Sequence, residues 1–133
     1  MADIHVGTII PALTLAPITR YTLALYAGAS GDHNPIHVDS DFAKAAGMPD
    51  VFAHGMLSMA YLGRMLTNWQ PQARLRKFSS RFTAITQLQD VVTCSGEVVE
   101  LMEDNGDTLA LCKIQAANAN GEQTLVGEAT VAL

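Results

Sequence analysis

Cysteine is scarce: Cys94 and Cys112 are the only two among 133 residues, too few for a disulfide scaffold or a Cys-based zinc site. Long apolar runs are missing too. No stretch approaches 18 unbroken apolar residues, so no membrane-spanning helix is expected. The opening Met-Ala-Asp-Ile-His-Val-Gly has neither a basic n-region nor an apolar h-region, and no secretory signal is expected from it. A reduced, cytoplasmic protein is the default expectation. Positive charge is in short supply, with 8 Lys and Arg against 13 Asp and Glu and a net charge of −5, which argues against general nucleic-acid binding. Charged residues make up only 16% against 49% apolar, and mean hydropathy is +0.18; disorder is excluded on that balance. Repeats, low-complexity tracts and linkers are also lacking, so residues 1–133 read as one domain with a sizeable core.

The charge is unevenly distributed. From Val51 to Gln89 there is no Asp or Glu, yet Arg64, Arg74, Arg76, Lys77 and Arg81 all fall there. This segregation suggests a basic surface for a small anionic partner on an otherwise acidic body; the plainer reading is solvated strand and loop charges.

Val6 to Leu15 is β-prone but interrupted by Pro11, which confines it to a sheet edge or a bend. Thr19 is a suitable N-cap for a short helix carrying Leu23, Tyr26 and Ala27 and ending near Gly28 to Gly31. Asp39 or Ser40 caps a second, stopped at Gly47. His54 to Asn68, HGMLSMAYLGRMLTN, has almost no polar face and reads as a buried helix. Its interior Gly63 is understandable where something packs against the backbone. Beyond it the period becomes two, with Phe78, Ser80 and Phe82 alternating against Lys77, Ser79 and Arg81. Val91 to Met102, Thr108 to Ala117 and Gln123 to Leu133 are further strand candidates, and their connections both contain Asn-Gly, a hairpin signal. One buried helix followed by a meander predicts an α+β domain with a sheet wrapped around that helix.

The chemistry concentrates in YAGASGDHNPIHVDSDFA, residues 26–43. Pro35 forbids a continuous helix through Asp32, Asn34 and His37, and a loop bent there brings the three to one side. So placed, they could hold one water molecule between an acid and a base. The alternative is turn chemistry, with Asp32 an Asx-turn residue and His37 a surface residue. At Ala53-His54-Gly55-Met56, a helix N-terminus offers unpaired N–H groups suited to polarising a carbonyl oxygen, and Gly55 has no Cβ to block a ligand. His54 itself reads better as a partly buried histidine whose hydrogen bond fixes the loop. There is no phosphate loop, Rossmann glycine pattern or Gly-x-Ser-x-Gly elbow. His5, His33, His37 and His54 lack metal-ligand spacing, and the cysteines, both in expected strands, read as core residues.

The run from Tyr26 to Ala43, with Ser-Gly-Asp-x-Asn-Pro-Ile-His, resembles the hydratase-2 signature of MaoC-like dehydratases and (R)-specific enoyl-CoA hydratases. Ala-His-Gly-Met-Leu at 53–57 is similar to the start of that family's central helix. The resemblance covers essentially the whole chain. It implies a hotdog fold, usually paired into a dimer with a continuous sheet. It also implies reversible hydration of a trans-2-enoyl thioester to a (3R)-3-hydroxyacyl thioester in fatty acid metabolism, with no metal or redox cofactor. By position, Asp32 and His37 would be the catalytic acid/base pair. Asn34 would help hold the water, and the Gly55 N–H would polarise the thioester carbonyl. The basic segment would meet coenzyme A phosphates or an acyl carrier protein. Some members carry a serine on the central helix where this chain has Gly63. Resemblance to mycobacterial hydroxyacyl-carrier-protein dehydratases makes a hetero-oligomer the alternative to a homodimer. Other rivals are a hotdog thioesterase, disfavoured because residues 51–89 hold no carboxylate, and a non-catalytic acyl-thioester binder, disfavoured because Asp32, Asn34 and His37 are all present.

Overall fold

The computed structural model describes residues 3–133. The elements in chain order are β1 (Ile9–Thr14), α1 (Arg20–Ser30), a 3-10 turn (Pro35–His37), α2 (Ser40–Ala45), α3 (Gly55–Trp69), a second 3-10 turn (Gln72–Arg74), and β2 (Leu75–Phe82), β3 (Thr93–Asp104), β4 (Asp107–Ala117) and β5 (Gln123–Ala132). All pairings are antiparallel, in the order β1-β3-β4-β5-β2. β1 and β2 are the edges. Pro11 sits where the β1–β3 register shifts, between Ile10 and Leu13, as a residue without a backbone donor requires.

One long helix against this sheet is the expected α+β hotdog arrangement. The core is built from unequal partners. α3 contributes Leu57, Leu62, Met65 and Leu66, whereas the sheet contributes many small residues, among them Cys94, Ala110, Cys112, Ala116 and Ala129. Small side chains on the sheet leave room for long ones on the helix at interior packing density. Burial pushes both thiols up to about 11, so they stay protonated packing groups.

Two glycines bring β2 down onto α3. A Cβ at Gly63 would lie 3.3 Å from Cε2 of Phe78, and one at Gly55 would lie 2.9 Å from the Phe82 ring. Phe78 and Phe82 therefore face the helix, and Ser79 and Arg81 point to the opposite face. The close packing expected at Gly63 is thus supplied by Phe78. α3 itself is not buried all round. Met56 is 52% exposed, and Ala60, Arg64, Thr67 and Asn68 also face solvent. A helix lying on one sheet face is covered on one side only, and near-continuous apolarity did not distinguish that from full burial.

The helix caps follow the residues. The Thr19 side chain accepts from the Thr22 N–H, and Gly31 closes α1 in the left-handed region. Asp39 caps α2 by accepting from the N–H groups of Asp41 and Phe42, and Gly47 follows at φ +91°. The two Asn-Gly connections differ. Asn105 and Gly106 both have positive φ and form a two-residue hairpin turn. In the β4–β5 connection only Gly121 does, and the Asn118 side chain organises a longer loop by accepting from the N–H groups of Asn120 and Glu122.

Gly127 of β5 is the closest approach in the sheet: a Cβ there would stand 2.2 Å from the Ser79 carbonyl oxygen of β2. Gly127→Ala is expected to destabilise the protein by about 1–3 kcal/mol, read as a lower denaturant midpoint. A midpoint equal to wild type would show that β2 does not press on β5 there.

Candidate active site

The loop after α1 is organised by its own side chains. The Ser30 hydroxyl oxygen accepts from the Asp32 N–H at 3.1 Å, Asp32 Oδ1 from the Asn34 N–H at 3.2 Å, and Asn34 Oδ1 from the Ile36 N–H at 3.1 Å. Pro35 then opens a single 3-10 turn that ends on His37. The turn-chemistry reading and the catalytic reading are therefore compatible. Oδ1 of Asp32 shapes the turn, while Oδ2 faces His37 Nε2 at 3.9 Å. That gap is too long for a direct hydrogen bond and short enough for one water to bond both groups.

His37 is not a surface residue; it is 8% exposed. Its Nδ1–H donates to the Phe52 carbonyl at 2.8 Å, which leaves Nε2 as the lone-pair nitrogen of the neutral ring, toward Asp32. Phe52 also packs edge-on against the His37 ring, with centroids 5.2 Å apart. The Asp32 side chain is 51% exposed. Asn34 is exposed; its Oδ1 accepts in the turn, and its amide NH₂ is free to face a ligand.

His54 is 1% exposed, more buried than its sequence context indicates. Its Nε2–H donates to the Asp32 carbonyl at 3.2 Å, the loop-fixing bond expected of it. Its ring stacks on His37 with centroids 3.9 Å apart, and Tyr26 of α1 closes the other side edge-on at 4.9 Å. Burial, then the neighbouring His37, lowers the His54 pKa below the ordinary histidine value. Burial and the nearby Asp32 carboxylate raise that of Tyr26.

Gly55 begins α3, where its N–H and that of Met56 have no carbonyl one turn back within the helix. The group that approaches it is Phe82, 54% exposed at the end of β2. Loop 32–37 and the helix start thus converge: Asp32, His37, His54 and Gly55 form one group, with Asn34 at its rim. Sequence reasoning missed Tyr26, the Phe52 carbonyl and Phe82, all of which act through tertiary contacts that no local motif encodes. Ser58, a turn into α3, is fully buried and lies 3.5 Å from the Thr86 hydroxyl.

The basic segment does not form one patch. Arg81 lies on the sheet face away from α3, and Arg76 sits 3.5 Å from Asp107. Position in sequence grouped charges that the fold distributes over α3, a turn and β2. A hollow of about 660 Å³ lies on that outer face, lined in part by Ser79, Arg81, Lys113 and Glu128; none of its lining belongs to the Asp32–His37 group.

The ligand atoms of Asp32, His37 and His54 lie within 4.8 Å of one another. Imidazole lone pairs lie in the ring plane, however, and the two rings are inclined by only 24° in a stack. Stacked rings direct their in-plane lone pairs along nearly parallel planes, a poor geometry for two ligands of one ion.

The sequence profile described as the MaoC like domain matches residues 10–119. The chain belongs to the MaoC-like family. It is 31% identical over 116 residues to the (R)-specific enoyl-CoA hydratase of Rhodospirillum rubrum, covering 86% of this chain and 78% of that one. It is 32% identical over 125 residues to the fatty acid synthase subunit beta of Saccharomyces cerevisiae, covering 92% of this chain but 6% of that protein. The chain thus corresponds to a small part of that fungal relative. Among solved structures, the (R)-hydratase from A. caviae involved in PHA biosynthesis superposes with a TM-score of 0.88 at 27% identity, covering 100% of this chain and 99% of that one. Among the described residues, no helix is long and apolar enough to cross a membrane.

The depressed His54 pKa has a consequence for stability. Below about pH 6.5 the unfolded chain binds a proton at this histidine that the folded protein refuses, so stability rises with pH there and falls on acidification. Asp50, whose carboxyl is held low by the Ser40 hydroxyl and the Val51 N–H, acts in the same direction but at more acid pH, below about pH 4. Between pH 7 and 5, wild type is expected to lose more stability than His54→Gln in urea titrations. Parallel losses would place the titrating group elsewhere.

Proposed function

We propose that this protein catalyses the reversible (R)-specific hydration of trans-2-enoyl thioesters to (3R)-3-hydroxyacyl thioesters, a lyase reaction of fatty acid metabolism. The observation that carries the reading is the Asp32 Oδ2 to His37 Nε2 gap of 3.9 Å beside the first N–H groups of α3. The (R)-specific enoyl-CoA hydratase relative and the (R)-hydratase structure support it.

In this reading water sits between Asp32 and His37, steadied by the Asn34 amide, and the thioester carbonyl oxygen lies at the Gly55 N–H. One member of the pair takes a proton from water as its oxygen bonds C3. Charge moves through C2 to the carbonyl oxygen, where the helix N-terminus stabilises the enolate. The other member delivers a proton to C2, and proton return between the two restores the pair. Addition of water changes no oxidation state overall, and the proposed site uses neither metal nor redox cofactor.

The substrate carrier in this proposal is coenzyme A or an acyl carrier protein, and the compartment is the cytoplasm, consistent with two free, buried cysteines. We also propose that a second copy adds at the β2 edge. Phe82, at the end of that edge strand, and the nearby Met56 are each more than half exposed beside Gly55, leaving one wall of the site for a partner to complete. A different hotdog subunit is the second reading of the same exposed wall.

Loss of enoyl-thioester ultraviolet absorbance on trans-2-enoyl-CoA substrates from short to long, with chiral analysis of the product, tests the reaction. The expected product is the 3R alcohol. Asp32→Asn and His37→Ala are each expected to lower kcat by about 10²–10⁴-fold with the fold intact; wild-type turnover by either folded variant would refute their roles. A folded wild-type protein inactive on every substrate would favour a missing partner subunit or a carrier-protein substrate.

A further inference from the structure

Two imidazoles stacked at 3.9 Å next to one carboxylate present a proton-allocation problem. If both took protons, two like charges would lie face to face with only Asp32 to offset them. The hydrogen bonds separate their roles. A carbonyl can only accept, so the bond to Phe52 places the His37 proton on Nδ1 and the bond to Asp32 places the His54 proton on Nε2. The remaining nitrogens differ sharply. His37 Nε2 faces the half-exposed Asp32 carboxylate, whereas His54 Nδ1 is buried with no hydrogen-bond partner among the described residues.

We infer that His54 is a positioning residue for the proposed hydration: a neutral Nε2–H tautomer that carries the Asp32 backbone and leaves His37 as the imidazole that takes the proton. A second proton on His54 would bury a cation and a donor with no acceptor. The titratable groups packed around His54 are Tyr26 from α1, Asp32 from the loop and His37 from the 3-10 turn. Of these only Asp32 favours a charged His54, through its carbonyl and through the charge of its carboxylate, and burial and His37 outweigh it. Neutral His54 in turn gives His37 a flat, polarisable face when His37 becomes an imidazolium. The same bond ties Asp32 to the residue preceding Gly55, so the carboxylate and the carbonyl-binding end of α3 move together.

This inference rests on the hydration reading, but its test includes a readout that needs no turnover. Nitrogen-15 NMR of histidine-labelled protein at pH 7 to 8 is expected to show His54 as the neutral Nε2–H tautomer and His37 bonded through Nδ1–H, with His54 gaining a second proton only below the ordinary histidine value. His54 titrating near its free value, or carrying its proton on Nδ1, overturns the inference even if the enzyme is active. Kinetics separate the bond from the ring. His54→Phe keeps a face for stacking and loses the donor; it is expected to lower kcat by about 10²-fold, the effect of a small misplacement of a reacting group, with little change in KM. His54→Gln keeps a donor at the same reach and is expected to recover most of that loss. Equal damage from both folded variants, or wild-type kcat in His54→Phe, overturns the positioning role. An inactive wild-type protein with the expected tautomers would leave the His54 assignment standing and count against the coenzyme A substrate or the single-chain form of the hydration reading.

Discussion

The structure depends on how the chain enters α3. Phe52 and Ala53 are pinned from one side by a bridge to Gln87 and a bond from the Ala53 N–H to the Thr86 carbonyl. From the other side His37 donates to the Phe52 carbonyl, and the next residue but one donates to the Asp32 carbonyl. The segment Phe52–His54 therefore holds the Asp32 loop, the His37 ring and the start of α3 together. Geometry at the site is inherited from the main chain, which is stiffer than any chain of side-chain contacts. This suits a reaction in which two groups must share one water.

The sheet serves that entry point indirectly. Its inner face is lined with alanine and cysteine, so α3 lies close, and Gly55 and Gly63 let the Phe78 and Phe82 rings rest on the helix backbone. The absence of side chains at those two positions sets the distance between helix and edge strand. Gly55 thereby brings the Phe82 ring next to the helix start. A larger residue there would alter that contact.

Much of this was legible in the residues. Pro35 announced the bend that brings Asp32 and His37 together, Thr19 announced its cap, the second cap was narrowed to Asp39 or Ser40, and the switch to period two announced β2. What stayed hidden was tertiary. Near-continuous apolarity in α3 could not reveal that Met56 and Ala60 face outward, because a helix on one face of a sheet and a helix in a full core share that composition. The run of arginines gave no sign that the fold would scatter them, since strand alternation and turns send neighbours in sequence to opposite faces. His54 was readable as a loop-fixing histidine, but its stack on His37 joins residues 17 positions apart and leaves no periodic trace.

The open side of β2 has one more consequence. An unpaired strand edge is a template on which any extended segment can add, and proteins commonly guard such edges with charge. β2 carries Arg76, Lys77 and Arg81 within its eight residues, with no acidic residue among them. A stray strand approaching that edge would meet Lys77 and Arg81 on the outer face of β2, with Arg76 already beside Asp107. Adhesion there is selective: backbone pairing alone is discouraged, and only a surface that accommodates those charges can settle against it.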